Sequence, residues 1–411
     1  MFLMKALSFE MIRRQAFVTW LSAGCLTVSS LCVPFTFAAA PTGEISLGYT
    51  HFWEHPEDVA SYQTNMAVIP RFSSDIADSS TLIIEPALRA RSDNDDSPFL
   101  DPYKSRWLSD FDDWELVAGY DIVFLGATEG AQILDVLNQK DLGAAFDGGI
   151  KLGQPMLNLS GYVGEGLASF YYLPYTPKRR FREYEERLSA GFVIDGDSER
   201  WKNSHQAYYP GFAARYVYSF DSIDVALFGF HGINREPAFL FEAGRLIPEY
   251  AAATQVGVDI QWVMGNMLTK LEALNVSNAP TLNGEFNETT QYVVAGEYSM
   301  FDLFNSGIDL RWVGEYSGNS MGDMLLSLYQ HDVLLALHTA FNDVDDTQLS
   351  ISLLHDLDYH SNILEVTLTR RFNQNIELAL SLFDFSALSP SDFFYGLEPD
   401  SYGEIMMTYY F

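Results

Sequence analysis

The feature that most constrains this chain is an alternation. From about residue 44 to the last residue, segments of about ten residues place apolar side chains at every second position, the pattern of strands with one greasy face. The last segment is the clearest: Ile405, Met407, Tyr409 and Phe411 fall on one side, Glu404 and Thr408 on the other. In 255–263, Val256, Val258, Ile260 and Trp262 oppose Gln255, Asp259 and Gln261, and in 307–316, Ile308, Leu310, Trp312 and Tyr316 oppose Asp309, Arg311 and Glu315. Similar segments run over 212–220, 222–231, 332–341, 348–355, 364–372 and 377–385. In the first half they fall near 44–53, 62–72, 81–90, 103–111, 114–125, 152–162 and 167–173, whereas 270–275 fits poorly. The total predicts about 18 strands, with about 16 as the alternative, both even numbers.

The connections alternate too. Short turns fall at 164–165, 221, 265–266, 301–305, 344–346 and 373–375, and longer loops at 232–249, 278–288, 317–328 and 387–400, with 356–361 the shortest of that set. No stretch after residue 40 approaches the roughly 18 apolar residues of a membrane helix. A soluble sandwich would need a second sheet over each apolar face. Lipid needs none, provided every backbone group is paired between strands, so the pattern predicts an all-β, transmembrane, antiparallel β-barrel. Hydrophobic residues make up 48% and aromatic residues 15%, rich in sheet formers for a chain of net charge -31. That charge argues against a nucleic-acid partner.

Residues 1–38 read as a cleaved signal peptide, with Arg13 and Arg14 before a Ser/Thr-broken apolar run and a small-residue site at Thr36-Phe37-Ala38; residues 39–411 would then be the barrel. Translation from Met11 and a lipoprotein signal at Cys25 are the alternatives. Both cysteines, Cys25 and Cys32, lie in this segment, so the exported chain is expected to have no disulfide and no thiol nucleophile.

A strand closed by an aromatic residue at the carboxyl terminus resembles the last strand of Gram-negative outer-membrane β-barrels. That resemblance implies an assembly signal at Tyr409 and Phe411, read by the barrel-assembly machinery, with outer-membrane lipid and lipopolysaccharide as surroundings. Residues 114–187 carry W-E-L-V-A-G-Y-D, F-L-G-A-T-E, I-L-D-V-L-N-Q-K-D-L, K-L-G-Q-P-M-L-N-L and L-P-Y-T-P-K-R-R-F. In order and spacing these motifs resemble an uncharacterised family of porin-like outer-membrane proteins, which usually has Trp where this chain has Leu125 before Gly126.

Two loops break the pattern. In 126–151, Thr128 is placed to cap a short helix with an apolar stripe of Ile133, Val136 and Leu137, which predicts an outer loop folded into the lumen. The other, 174–208, gathers Lys178, Arg179, Arg180, Arg182 and Arg187 in a chain otherwise poor in positive charge. If both loops turn inward, Glu129, Asp135, Asp141 and Asp147 would face Lys178, Arg179, Arg180 and Arg182 across a pore constriction. The alternative places the basic cluster on the surface, against lipopolysaccharide phosphates.

No H-x-x-x-H or H-E-x-x-H motif is present, Asp332 and His338 have no nucleophile beside them, and Asp93-Asn94-Asp95-Asp96 lacks the Gly and the twelfth-position Glu of a calcium loop. We therefore expect no metal, no cofactor and no enzyme activity. A diffusion channel for small hydrophilic solutes is the leading expectation, ahead of a binding or structural surface protein and of a barrel enzyme.

Overall fold

The structure, a computed structural model, describes residues 40–54, 59–94, 97–386, 389–390 and 392–411; the segment read as a signal peptide, 1–38, lies outside them. Eighteen strands form one closed antiparallel barrel. They are Thr42–Phe52, Tyr62–Ala77, a third strand broken into Ser80–Ile84 and Ala87–Arg91, a fourth broken into Phe99–Asp101 and Arg106–Phe111, and then Trp114–Asp121, Gln154–Val163, Gly166–Leu173, Gly211–Phe220 and Ile223–Ile233. The second half comprises Ala252–Met264, Met267–Pro280, Phe286–Met300, Asp309–Asn319, His331–Ala340, Gln348–Asp356, Asn362–Arg371, Ile376–Ser386 and Tyr402–Tyr410. Each strand pairs with the next. The last pairs with the first, Met407 opposite Leu47 and Tyr409 opposite Ile45. Phe411 completes the seam, its N–H donating to Gly43 O and its carbonyl accepting from Gly43 N, both at 3.0 Å.

The outer face follows the alternation. Leu47, Phe170, Leu227, Val256, Trp312, Leu335 and Ile405 all stand exposed on it, an arrangement water would penalise and acyl chains would not. Aromatic side chains, Phe111, Tyr162, Phe220, Trp262, Tyr298, Tyr409 and Phe411, gather at the end of the barrel that carries the short turns and the carboxyl terminus. At the other end lie the long connections, including 122–153, 174–210 and 234–251, the last of which contains a hairpin of Ala238–Glu242 and Arg245–Tyr250 joined by Arg200–Trp201.

The interior is not uniformly polar. Toward the loop end, the 126–151 loop folds into the lumen, where Leu125, Leu134 and Leu137 pack on inward-facing Met156, Phe228, Phe230, Leu274 and Val276. A second apolar cluster joins Phe52, Leu354, Phe385 and Tyr402 of the wall to Leu188 and Leu397 of the loops, with Phe146 stacked edge-on at 5.3 Å from Phe385. This explains why 270–275 fits the alternation poorly: Lys270 and Glu272 point inward, and so do Leu274 and Val276, because the loop supplies them with an apolar neighbour. Leu125, where the resembling family has Trp, is part of that packing.

The predicted helix in 126–151 does not form; the segment is a series of turns and bends. Its polar groups find partners outside a helix. Asn138 donates to Asp121 O and Leu152 O at 2.9 and 3.0 Å, Asp135 accepts from Leu125 N at 3.1 Å, and Thr128 Oγ1 donates to Ala131 O at 3.0 Å. With side chains satisfying the backbone this way, the i to i−4 ladder has no advantage.

Candidate functional site: the loop-lined lumen

The 126–151 loop is fixed to the far wall by its main chain. Glu272 of Met267–Pro280 accepts from Ala127 N and Thr128 N at 2.5 and 2.9 Å, and Glu315 of Asp309–Asn319 accepts from Glu129 N and Gly130 N at 2.6 and 2.8 Å. Two inward carboxylates thus clasp four consecutive N–H groups, a charge-assisted arrangement. The glycines suit this closeness: a Cβ on Gly126 would sit 3.0 Å from Glu272 Oε1, and one on Gly130 would sit 2.8 Å from Leu334 Cδ2 and 3.0 Å from Glu315 Oε2, so either would press on the carboxylate that holds the loop. Beside the clasp, Arg311 lies 3.3 Å from Glu129 and 3.0 Å from Glu297, Glu297 pairs with Lys270, and His338 shares a hydrogen bond with Glu129.

The eight charged residues singled out from the sequence are distributed as follows. Glu129 belongs to the network just described; burial works to raise its carboxyl, but His338 and Arg311 outweigh that and hold it below the ordinary range. Asp135 pairs with Lys151, whose ammonium lies over the Phe124 ring. Asp141, fully buried, pairs with Arg180 at 3.0 Å, and Arg180 stacks over Phe99. Asp147 accepts from Gly149 N at 2.9 Å. Lys178 pairs with Glu199 at 2.5 Å. Arg179 binds Glu236 at 2.5 Å and Gln139 at 3.0 Å, and buried Arg182 donates to Arg187 O and Ala144 O at 3.0 and 3.3 Å. Of these eight, Asp141 and Arg180 are in direct contact, and Glu129, Asp135, Asp147, Arg179 and Arg182 border one cavity of about 720 Å³; Lys178, Asp141 and Arg180 stand away from it.

The same cavity is bordered by residues that sequence reasoning passed over. Lys140, Asn234, Arg235, Glu236 and Gln255 add to its polar lining, and apolar side chains of the outer loops border it as well. Glu236 is shared by Arg179 and, at 3.8 Å, Lys140; burial opposes ionisation, yet these cations hold the carboxyl down at about 2. Arg235 is buried and donates only to neutral acceptors, Leu137 O, Ile233 O, Thr176 Oγ1 and Gln154 Oε1. Burial pulls its guanidinium down to about 9, which leaves it charged at neutral pH. A lone Arg in N-R-E-P was the only signal the sequence offered for it.

The other candidates part company. His338 is bound to Glu129 and, at 3.0 Å, to Ser350 Oγ, while Asp332 accepts from Gln330 N and His331 N, so the two do not touch. Asp93 pairs with Arg91, and residues 95–96 lie outside the described residues. Among the described residues no group of three or more His, Cys, Asp or Glu side chains is arranged to hold a metal ion.

No family model and no curated protein sequence matches this chain. Among solved structures, it overlays OccK11 (OpdR) of Pseudomonas aeruginosa with TM-score 0.54 at 11% identity, over 90% of this chain and 95% of that one. OccK5 (OpdH) of the same organism overlays with TM-score 0.52 at 10% identity, over 90% and 97%. The fold is that of a porin-type barrel. OmpF of Salmonella typhi overlays more loosely, with TM-score 0.47 at 11% identity over 90% and 97%, and adds nothing to that statement. At such identities the likeness is one of fold alone, and the resemblance to the uncharacterised family rests on its quoted motifs.

Proposed function

We propose that the chain is an outer-membrane, porin-like channel for passive passage of small hydrophilic solutes, without enzyme activity and without a cofactor. The observation that carries this reading is a closed barrel, apolar outside, whose lumen holds a cavity of about 720 Å³ bordered by ionised side chains. In this reading Glu129, Asp135, Asp147, Arg179 and Arg182 set the charge of the constriction, and the ion pairs of Asp141 with Arg180 and of Lys178 with Glu199 hold the 174–210 loop in place. Lipid and lipopolysaccharide surround the barrel, and the barrel-assembly machinery reads its end at Tyr409 and Phe411.

Conductance in planar bilayers tests the channel: steps of stable current from purified protein support it, and a sealed barrel overturns it. The loop-filled outer half of the lumen favours a second reading, a surface binding or structural protein, which a barrel without conductance would leave standing. For assembly, Phe411→Asp should lower the amount of heat-modifiable protein in outer membranes more than Phe220→Asp, a change at another exposed aromatic beside a turn. Equal losses would remove the special role of the terminus. Phe385 is unsuitable as the control, since it is buried in the luminal core.

A further inference from the structure

The chain carries a net charge of -31, yet one side of the luminal cavity is cationic. Lys140, Arg179 and Arg235 stand there with a single carboxylate among them, Glu236, which Lys140 and Arg179 share. Among the described residues Arg235 has no carboxylate partner; each of its four donated hydrogen bonds ends on a carbonyl, a hydroxyl or an amide oxygen. A buried cation held only by neutral dipoles keeps its charge uncancelled, and the low-dielectric surroundings let that charge act over a longer range than at an open surface. Of the other bordering carboxylates, Asp135 has Lys151 and Glu129 has Arg311 and His338, while Asp147 accepts only from Gly149 N among the described residues; Arg182 adds a further cation to the border.

Part of the remaining wall is apolar. Phe181 of the 174–210 loop meets Phe239 of the Ala238–Glu242 hairpin arm edge-on at 5.7 Å, and Leu246, Leu282 and Leu326 from three further outer segments border the same space. Water gains little from such a lining, and a solute with a hydrocarbon surface gains by covering it. Arg235 follows the end of the wall strand Ile223–Ile233, while Lys140 and Arg179 come from the 126–151 and 174–210 loops and the apolar side chains from outer loops.

We propose that this cavity is a solute-binding site for small organic anions that carry an apolar body, the oxyanion drawn to Lys140, Arg179 and Arg235 and the body lying against Phe181, Phe239 and Leu246. The proposal rests on the channel reading for its physiological direction, but binding itself does not require conduction. An inorganic anion would satisfy the charge and leave the apolar wall wet. An apolar cation would meet the wall and be repelled by the net charge beside it.

Calorimetry on the purified full chain in detergent, with hexanoate, acetate and hexylammonium as probes, tests this. Hexanoate should bind at least about tenfold more tightly than either of the others. Phe239→Ser should weaken hexanoate about threefold or more and leave acetate unchanged, Lys140→Gln should weaken both anions about threefold, and Arg235→Gln should weaken both about tenfold. Should Arg235→Gln fail to give heat-modifiable protein, the Lys140 and Phe239 variants decide, because both side chains are partly exposed and neither holds a wall strand. Equal affinity for hexanoate and acetate, or hexylammonium binding as tightly as hexanoate, overturns the site. Bilayer currents from the same preparation separate the two proposals: conduction without this discrimination overturns the site and leaves the channel, whereas discrimination without conduction does the reverse.

Discussion

The two loops that enter the barrel are held in opposite ways. The 126–151 loop offers its backbone: four successive N–H groups, from Ala127 to Gly130, rest on Glu272 and Glu315 of the wall. The 174–210 loop offers side chains. Arg187, 1% exposed, donates to Ala60 O, Glu54 O and Pro399 O and pairs with Asp400 at 2.9 Å, while Asp400 also accepts from Leu188 N. A main-chain tether asks almost nothing of the loop's own sequence beyond slimness at Gly126 and Gly130, and places the chemistry on strands more than a hundred residues away. A side-chain tether places it within the loop itself. Although Arg179, Arg180 and Arg182 of the second loop also meet Gln139, Asp141 and Ala144 of the first, the tethers to the rest of the barrel are distinct, and the loss of each should be felt first in the loop it holds.

The largest effect is expected at Arg187. Arg187→Met removes the cation that ties the second loop to three carbonyls and strands Asp400 as a buried carboxylate, a loss of about 3–5 kcal/mol. Trypsin should then cut within 174–210 while the wall strands and the 126–151 loop stay intact. If the first loop becomes cleavable as well, the two tethers are one cooperative unit and the comparison breaks.

A smaller effect is expected when the clasp is neutralised. Glu272→Gln and Glu315→Gln each lose charge; at Glu272 both N–H groups meet one oxygen, Oε1, which the amide retains, whereas at Glu315 they meet separate oxygens and the amide nitrogen cannot accept from the second. About 1–3 kcal/mol should go with each. The double variant should show noisier and larger single-channel currents, because the stretch 127–130 would leave the wall, while protection of 174–210 against trypsin stays as in the parent. Unchanged current would mean that the apolar packing of Leu134 and Leu137 holds the loop without the clasp.

This difference in tethering also sets what could be read in advance. Strands facing lipid must alternate, and turns at one end must be short, so about eighteen strands were legible, Phe286–Met300 only from the loop before it and the turn after it; the inward course of 126–151 was read from a helix that does not form. The basic cluster drew attention to 174–210 and named Arg179, Arg180, Arg182 and Arg187. The clasp was not legible, because nothing local in 126–130 distinguishes N–H groups that meet a carboxylate from those that make a helix; hence the helix that Thr128, Ile133 and Val136 imply did not form. Glu315 and Arg311 could be assigned to the inner face by alternation, but their partners are set by how the loop crosses the lumen. Lys270 and Leu274 both facing inward defeats alternation for the same reason: the neighbour across the lumen is a loop, not water.

The smallest and finest test is acid. Glu129, tied to His338 and Arg311, has its carboxyl held below the ordinary value near 4.5, so in the unfolded chain it takes up a proton first. The stability it lends the first loop is complete above pH about 4.5 and is lost as pH falls further toward its folded value, by about 1 kcal/mol or less for a group at this depth. Around the second loop, burial raises Asp400, of the 387–400 connection, above 3.8 and Glu186 above 4.5, against the pull of Arg187 and Arg91. A raised carboxyl takes up its proton first in the folded chain, so these two favour the folded loop increasingly as pH falls through their folded values. Glu236, held at about 2 beside Arg179, works against them only below its ordinary value near 4.5. Hydrogen exchange corrected for intrinsic rates should therefore show 174–210 unchanged or better protected between pH 7 and 5, and 126–151 losing protection once pH falls below about 4.5. Glu129→Gln should abolish that acid response in the first loop and leave the second loop's profile as it was. A response in the first loop that persists in Glu129→Gln and disappears only when Glu272 and Glu315 are also changed would assign the acid sensitivity to the clasp instead of to the Glu129, His338 and Arg311 network.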